Sequence, residues 1–283
     1  MNITEPVVAN TTEQIRTKIS ELRRARGGAP VVLVPTMGAL HEGHLSLVKR
    51  AQRIDGAVVV VSIFVNPLQF AEGEDLDSYP RTLDADVEKL SNVGADLVFA
   101  PSPREMYPQG PRTLIHPGEA GSILEGASRP THFSGVLTVV NKLFQITGCT
   151  HAVFGEKDYQ QLLLIRQMVQ DLNIPVEVIG APIVREDSGL AKSSRNQYLS
   201  DDERKLAGAL SRALHVAAGY DSAEEVVAKA KEMLAEHEGI DLDYVALTSA
   251  DLGEPRVGDN RLLVAARVGA TRLIDNVAVR LAH

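Results

Sequence analysis

The sequence predicts an α/β protein with a Rossmann-like parallel sheet that has helices on both faces, followed by a smaller α+β C-terminal domain. Through the first two-thirds of the chain, short Val-rich runs alternate with helix-length segments, as strands buried on both faces do. Strands that alternate with helices form a parallel sheet covered on both sides. The last third has two helix-like segments and then three strand-like runs, which indicates a separate α+β unit.

The predicted strands of the first part are short and mostly β-branched. In chain order they are Val31–Pro35, Ala57–Val65, Asp96–Ala100, His151–Phe154 and Val176–Gly180, with a further short strand at Pro182–Val184. The helical segments between them are His44–Ile54, Asp84–Val93, Gly135–Thr147 and Asp158–Leu172. In the last of these, Leu164, Met168 and Leu172 recur every fourth residue and mark one apolar helix face.

Two capping boxes open the helices of the C-terminal part. Ser200 stands three residues before Glu203, and Ser222 stands three residues before Glu225. The strand-like runs after these helices are Leu242–Thr248, Arg261–Arg267 and Arg272–Val279. We therefore predict two domains, residues 1–184 and residues 185–283.

The bulk composition is that of a globular protein that does not enter a membrane. The chain has 283 residues, of which 44% are hydrophobic and 23% charged, and no apolar run approaches the roughly 20 residues that a bilayer crossing needs. Residues 1–20 are polar and show no export signal. The single cysteine, Cys149, excludes an intramolecular disulfide and a multi-cysteine metal site. These observations predict a cytoplasmic location.

The charge balance argues against nucleic acid as a partner. The formal net charge is −8, from 37 acidic and 29 basic residues. Binding to a phosphate backbone needs a basic face, which this composition does not favour. An anionic small molecule needs positive charge concentrated in one pocket instead. Neither a P-loop nor a dinucleotide-binding glycine motif occurs, so other residues must hold any phosphate groups.

A first candidate site is the segment Pro35–His44, which follows the first predicted strand and runs into a helix. Amide groups and the positive dipole end at the start of a helix attract anions. His41 and His44 can each direct a ring N–H at a phosphate. The spacing does not match the His-Glu-x-x-His motif of zinc proteases. For this motif alone, a helix cap with two surface histidines is the commoner meaning.

Two further segments carry positive charge directly behind predicted strands. In Gly155–Gln161, Lys157 suits phosphate oxygens, although Asp158 fits a simple helix cap and a lysine in a turn is usually just solvated. In Lys192–Asn196, two hydroxyls and two cations suit a polyphosphate, although a polar linker has the same composition. Because parallel strands end at the same edge of a sheet, we expect the three segments to converge.

The acidic, glycine-bearing segment Gln69–Arg81 has two interpretations. It is either a flap that covers a site and excludes water, or an ordinary surface loop.

The motifs together resemble those of the pantothenate synthetase family. The His-x-x-His segment is similar to the HIGH motif of the nucleotidylyltransferase and class I synthetase superfamily, and Lys192–Asn196 is similar to its KMSKS loop. The motifs that carry the narrower resemblance are VPTMGALHEGH, FVNPLQF, YPRT, RPTHFSGV, FGEKDYQQ and SSRN, in that order along nearly the whole chain.

The resemblance implies a pantoate–β-alanine ligase of coenzyme A biosynthesis. In its reaction (R)-pantoate, β-alanine and ATP give pantothenate, AMP and pyrophosphate through a pantoyl-adenylate. The resemblance further implies a homodimer and Mg²⁺ that arrives with ATP.

Site residues follow from the matching motifs. The implied catalytic residues are His44, His41 and Lys157. The implied substrate-binding residues are Gln69 and Gln161 for pantoate, with Gln69 also near β-alanine, and Asn66 and Tyr79 as neighbours in the same cleft. The implied ATP-binding residues are Met37, Gly38, Ala39, Leu40, His41, Glu42, Gly43, His44, Gly155, Glu156, Lys157, Asp158, Val184, Lys192, Ser193, Ser194 and Arg195.

Two positions depart from the family pattern. Lys192 stands where the family usually has methionine, which adds a cation beside the serines. Asp84 and Asp86 flank Ala85, where related sequences carry adjacent aspartates proposed to contact magnesium, so Asp86 is only a weak candidate metal ligand.

Three other functions remain open from the sequence. A nucleotidylyltransferase would leave a nucleotide on its product, whereas the ligase needs an amine acceptor and releases AMP. A metal-dependent hydrolase would need more clustered ligands, and a catalytically inactive nucleotide sensor would not need both histidines, Lys157 and the Ser-Ser-Arg run.

Overall fold

The computed structural model describes residues 5–71, 73, 76–77 and 79–282, and the chain divides into two compact units. The first unit comprises the described residues of Met1–Glu156 together with Gln160–Ala181. The second comprises Lys157–Tyr159 and the described residues of Pro182–His283. The described part of the chain contains no helix long and apolar enough to cross a membrane. The domain boundary after Val184 stays a prediction.

The first unit is built on a parallel sheet. In chain order its strands are β1 (Val7–Ala9), β2 (Val31–Thr36), β3 (Val58–Ile63), β4 (Leu97–Phe99), β5 (His151–Gly155) and β6 (Glu177–Ala181). Among the described residues the order across the sheet is β1-β4-β3-β2-β5-β6, and every neighbouring pair is parallel. From β2, the strands β3 and β4 extend the sheet on one side, and β5 and β6 extend it on the other. The strand order therefore reverses between β2 and β5, where ligands bind in sheets of this type.

Helices cover both faces of this sheet. They are α1 (Thr12–Ala25), α2 (Glu42–Ala51), α3 (Leu83–Asn92), α4 (Pro103–Met106), α5 (Glu125–Ser128), α6 (His132–Thr147) and α7 (Tyr159–Asp171), whose first residue belongs to the second unit. Val31 and Leu33 pack in a core with α1, α6 and α7, whereas Val32 and Val34 pack in a core with α2 and α3. Successive strand residues face opposite sides, so this alternation requires a helical layer on each face.

The second unit contains two helices and an antiparallel sheet. Its elements are α8 (Asp201–Ala217), α9 (Ala223–Ala235), β7 (Ile240–Ser249), β8 (Gly258–Val268) and β9 (Thr271–Leu281). The described strands pair in the order β7-β8-β9. The predicted caps are confirmed, because the Ser200 and Ser222 side chains accept the backbone N–H of Glu203 and Glu225. The predicted fold class is confirmed in both parts.

Three sequence predictions need correction or completion. The strand predicted at Pro182–Val184 is wrong: β6 ends at Ala181, and beyond it only an isolated bridge joins Arg185 to Ala191. Pro182 lacks the N–H that would continue the ladder. The short edge strand β1 and the helix α1 were not predicted. The flap interpretation of Gln69–Arg81 stays a prediction, since Glu72, Glu74, Asp75 and Ser78 lie outside the described residues.

Candidate active site

The reversal of strand order brings two of the predicted motifs to one edge of the first unit. β2 and β5 are paired through Val32 with His151 and Leu33 with Ala152, so their carboxyl ends lie side by side. The histidine segment follows β2, and Glu156 follows β5. Lys157 is next in the chain after Glu156 and belongs to the second unit. The strand order thus places the histidine segment and Glu156 at the switch point of this sheet, where ligands bind in sheets of this type.

The turn after β2 has an unusual backbone conformation. Gly38 has φ 87° and Ala39 has φ 49°, both in the left-handed region. A Cβ on residue 38 would lie 3.2 Å from Ile63 Cγ2 and 3.3 Å from Asp86 Oδ2. Glycine is therefore favoured at position 38 by the backbone angle, and a Cβ there would also be a tight fit. Ala39 in this conformation stores strain that other contacts must offset.

Two charged residues of α3 hold this turn in place. Asp86 is fully buried, and its Oδ2 and Oδ1 accept the backbone N–H of Ala39 at 2.9 Å and of Leu40 at 2.8 Å. The Thr82 hydroxyl donates to the same carboxylate at 3.1 Å. Lys89 Nζ donates to the Leu40 carbonyl oxygen at 2.7 Å. The α3 clamp, Asp86 with Lys89, therefore fixes the turn through the N–H groups of Ala39 and Leu40 and the carbonyl of Leu40.

This contact pattern replaces the interpretation of Asp86 as a candidate magnesium ligand. Both carboxylate oxygens are engaged by backbone and hydroxyl donors, and the group lies inside the protein. The described residues include no group of three His, Cys, Asp or Glu side chains arranged to hold a metal ion. The engaged carboxylate of Asp86 therefore does not fit a direct ligand of Mg²⁺, which prefers carboxylate or water oxygens in octahedral geometry.

The two histidines form a capping box at the start of α2, which fixes their tautomers. His41 is the N-cap, and its Nδ1 accepts the Gly43 N–H at 3.1 Å. His44 Nδ1 accepts the His41 N–H at 3.4 Å, and the ring centroids lie 4.1 Å apart. A ring nitrogen that accepts a hydrogen bond carries no proton, so each neutral imidazole carries its proton on Nε2. In each neutral ring Nε2 is therefore the nitrogen that can donate a hydrogen bond.

This capping changes how the segment can meet an anion. The sequence predicts that amides at the start of α2 contact phosphate groups. The N–H groups of Ala39, Leu40, His41 and Gly43 already have protein acceptors. Leu40 is also buried in the core beneath the turn. These four amides are therefore used within the protein, and the dipole of α2 remains as an attraction for an anion.

A second cluster lies where a short 3₁₀ helix, Pro67–Gln69, meets the start of α6. Asn66 caps this 3₁₀ helix and is fully buried, and Gln69 is 9% exposed. A Cβ on Gly135 would lie 2.2 Å from the Leu68 carbonyl oxygen, so only glycine lets α6 approach this closely. Tyr79 is buried and packs its ring edge-on against Phe70. The structure thus brings together two of the predicted substrate residues, Asn66 and Gln69.

The two consecutive glutamines of α7 have different environments. Gln160 is buried: its Nε2 donates to the carbonyl oxygens of Ala120 and Ile123, and its Oε1 accepts the Glu125 N–H. Gln161 is half-buried, and its side chain has no hydrogen-bond partner among the described residues. Gln160 is therefore structural, whereas the role of Gln161 in substrate binding stays a prediction.

In the second unit, a hairpin-like turn positions the third motif. The Lys192 N–H donates to the Val184 carbonyl at 2.9 Å, which brings two predicted ATP residues together. Arg185 at the base of the turn forms a two-pronged ion pair with buried Asp275 of β9. Ser193 caps the short 3₁₀ helix Ser194–Tyr198 by accepting the Arg195 N–H. The segment Lys192–Asn196 is thus part of a turn that hydrogen bonds fix within the second unit, and it is not an irregular linker.

Glu186 stabilises the same turn through a hydrogen bond from Asn196. Burial tends to raise the pKa of its carboxyl, but hydrogen bonds from Arg204 and Asn196 outweigh burial, and the pKa lies below its usual value. Asn196 Nδ2 donates to Glu186 at 3.0 Å and also to the Ala191 carbonyl. In the same unit, Asn276 Nδ2 donates to the backbone carbonyl of Lys157 at 2.9 Å.

Comparison with known proteins agrees with this architecture. The family model described as pantoate-beta-alanine ligase matches residues 7–278. A pantothenate synthetase of Corynebacterium jeikeium (strain K411) is 69% identical over 271 residues, which cover 93% of this chain and 88% of that protein.

Solved structures show the same fold. A pantothenate synthetase of Thermus thermophilus superposes with a TM-score of 0.86 at 45% identity, and the match covers 97% of this chain and 99% of that one. The pantoate-beta-alanine ligase of Francisella tularensis, solved in complex with beta-gamma ATP and beta-alanine, superposes with a TM-score of 0.80 at 38% identity. That match covers 96% of this chain and 97% of the Francisella chain.

Fold, motif positions and similarity over almost the full length agree with one another. The chain belongs to the pantoate-beta-alanine ligase family.

Proposed function

We propose that this protein condenses (R)-pantoate with β-alanine to give pantothenate, while ATP is cleaved to AMP and pyrophosphate through a pantoyl-adenylate. The observation that carries the proposal is the histidine pair at the sheet switch point, with the proton of each neutral ring on Nε2. The Francisella relative, which binds an ATP species and β-alanine in its crystal, supports the identity of two of the substrates.

The first half-reaction is an attack of the pantoate carboxylate on the α-phosphorus of ATP. A P–O bond forms as the bond to pyrophosphate breaks, and negative charge grows on the departing group. The Nε2–H groups of His41 and His44 donate to this charge, and Lys157 and Arg195 add positive charge from the second unit. We assign the rest of the ATP contacts to the segments predicted from the sequence: residues 37–44, 155–158, Val184 and residues 192–195.

The second half-reaction releases AMP. The β-alanine amine attacks the acyl carbon, an amide bond forms, the acyl–oxygen bond to AMP breaks, and the amine loses a proton to solvent. Gln69 and Gln161 hold the hydroxy acid through their side-chain amides. The reaction needs no nucleophilic side chain, because holding the partners in line and excluding water supply much of the acceleration. Tyr79, packed against Phe70, lies beside this cleft in the proposal.

We include three further features that the family resemblance suggests. Mg²⁺ enters bound to ATP through phosphate oxygens and water. The protein is a homodimer, and it works in the cytoplasm. Light scattering on the purified protein, with a mass of about twice the monomer as the expected result, tests the oligomeric state.

A pantoate-dependent exchange of radiolabelled pyrophosphate into ATP tests the proposed function. We expect exchange with pantoate and Mg²⁺ in the absence of β-alanine, and free AMP in proportion to pantothenate once β-alanine is added. A nucleotidylyltransferase would retain the nucleotide on its product instead. Lys157→Met should lower the exchange rate strongly, whereas Lys205→Met, at a surface ion pair with Asp202, should not. Folded wild-type protein that shows no exchange would refute the assignment.

A further inference from the structure

A buried chain of hydrogen bonds leads from Tyr107 to the substrate glutamine. The Tyr107 hydroxyl donates to Asn66 Oδ1 at 3.0 Å. Asn66 Nδ2 donates to Gln69 Oε1 at 3.0 Å and to the Gly135 carbonyl oxygen at 3.1 Å. Asn66 is fully buried, and Gln69 nearly so. Tyr107 is thus connected to Gln69 through a single amide.

The direction of this chain is set by two backbone groups. The Gly135 carbonyl can only accept a hydrogen bond, and the Leu68 N–H, 3.4 Å from Asn66 Oδ1, can only donate one. Asn66 must therefore turn its NH₂ toward Gly135 and its oxygen toward Leu68 and Tyr107. The NH₂ also meets the side chain of Gln69, so Gln69 must present its oxygen to Asn66. The remaining end of the Gln69 amide, Nε2, is a donor.

This end of Gln69 is available to a ligand. Its Nε2 has no hydrogen-bond partner among the residues that the structure describes. The backbone carbonyl of Gln69 is held separately, by Arg129 Nη2 and by the His132 ring, each at 3.0 Å. Both the backbone and the side-chain oxygen of Gln69 are therefore fixed, and only its side-chain N–H groups remain to select a substrate.

We infer that Tyr107 and Asn66 are positioning residues that fix Gln69 as a hydrogen-bond donor, so that it binds only an oxygen acceptor of the hydroxy-acid substrate. The inference rests on the proposed function and deepens it, because it states which end of the glutamine meets the substrate. It also reassigns Asn66, whose amide is used within the protein, from contact with the substrate to orientation of Gln69.

The surroundings of Tyr107 keep its hydroxyl protonated, so that it can donate a hydrogen bond at neutral pH. Burial raises the pKa of its hydroxyl to about 12, so the hydroxyl keeps its proton at neutral pH. Its ring packs against Phe64 at 6.3 Å between centroids, and Lys142 Nζ lies 5.7 Å from the ring centroid. These contacts fix the ring, and the hydroxyl is left to orient Asn66.

Two variants test the inference through substrate KM values in the exchange assay. Asn66→Asp keeps the shape but replaces the NH₂ with an acceptor, so Gln69 must reverse and turn its oxygen to the substrate. We expect the pantoate KM to rise on the order of a hundredfold, because two acceptors then face each other. Tyr107→Phe removes one neutral donor and should raise the pantoate KM about fivefold. The ATP KM should stay within about twofold in both variants.

The control is Tyr220→Phe, which removes a hydroxyl at an exposed position of the second unit and should leave both KM values unchanged. If Tyr107→Phe and Asn66→Asp lower the unfolding temperature but leave the pantoate KM at its wild-type value, the residues are only structural and the inference is wrong. If Asn66→Asp does not fold, Tyr107→Phe alone decides in the same way. Wild-type protein without pantoate-dependent exchange would overturn the proposed function, and the inference with it.

Discussion

Asp86→Asn removes the charge from the α3 clamp but keeps the shape of the side chain. The resulting loss in the free energy of unfolding can be estimated from the contacts of Asp86. The buried carboxylate accepts two backbone N–H groups at 2.9 and 2.8 Å and a hydroxyl at 3.1 Å. Asparagine keeps one acceptor oxygen and sets an NH₂ group against the other N–H. Hydrogen bonds to a charged group contribute roughly 1.5–3 kcal/mol each, so we expect a loss of about 2–4 kcal/mol in the free energy of unfolding.

The same change should weaken ATP binding. Without the second bond, Ala39 has less to offset its left-handed backbone, and the turn that precedes His41 relaxes. A shift of the two imidazoles by about 1 Å is enough to lower catalysis on the order of a hundredfold. Urea unfolding measures the loss of stability, the ATP KM measures the weaker binding, and the exchange rate measures the loss of catalysis.

Asp84→Asn is the matched control, two residues earlier on α3. Asp84 is exposed and has no side-chain hydrogen bond to a described residue, so only its interaction with the helix dipole changes, about 0.3–1 kcal/mol. The reasoning is refuted if Asp86→Asn unfolds at the same urea concentration as Asp84→Asn. A sharply raised Mg²⁺ requirement with an unchanged ATP KM would instead restore Asp86 as a metal ligand.

Four further predictions follow from the geometry. His44→Ala removes the Nε2–H donor, together with the Nδ1 acceptor of the capping box, and should lower the exchange rate about 10²–10³-fold; an unchanged rate would exclude His44 from the reaction. If Lys157 acts on the same phosphates as His44, the double variant should lose less than the product of the single losses, and strict multiplicativity would count against convergence. Gly135→Ala places a Cβ 2.2 Å from the Leu68 carbonyl oxygen and should destabilise the protein by more than about 3 kcal/mol, as thermal unfolding would show. Glu186 has a lowered pKa in the folded protein, so its stabilising effect is present above the unfolded pKa and is lost as pH falls through the folded pKa. The difference in the free energy of unfolding between wild type and Glu186→Gln should therefore vanish in acid. A difference that does not depend on pH would contradict this.

Periodicity and motif position predicted much of the fold. The Val-rich runs became β2 to β6, and both serine caps begin helices as their spacing indicates. α1 was missed although its signals are present: Ile15, Ile19 and Leu22 share one face, and Thr11 forms a capping box with Gln14. The three-residue strand β1 gives no such pattern, because its position at the sheet edge depends on pairing with β4.

The site was predicted where a motif follows a strand, and missed where it depends on contacts between distant residues. Asp86 and Leu40 are 46 positions apart, and Tyr107 and Asn66 are 41 apart, so no local pattern indicates either hydrogen bond. The burial of Gln160 could have been predicted from the sequence, because Gln160 lies four residues before buried Leu164, on the inner face of α7. The order of the strands across the sheet was also not predicted from the sequence, and it is this order that makes β2 and β5 neighbours.

An isotope experiment tests the adenylate most directly. Pantoate labelled with oxygen-18 in its carboxylate is turned over with ATP and β-alanine, and the products are analysed by mass spectrometry. Attack of the carboxylate on the α-phosphorus transfers one labelled oxygen to AMP and none to pyrophosphate. Label in pyrophosphate, or AMP that carries no label, would contradict the proposed intermediate.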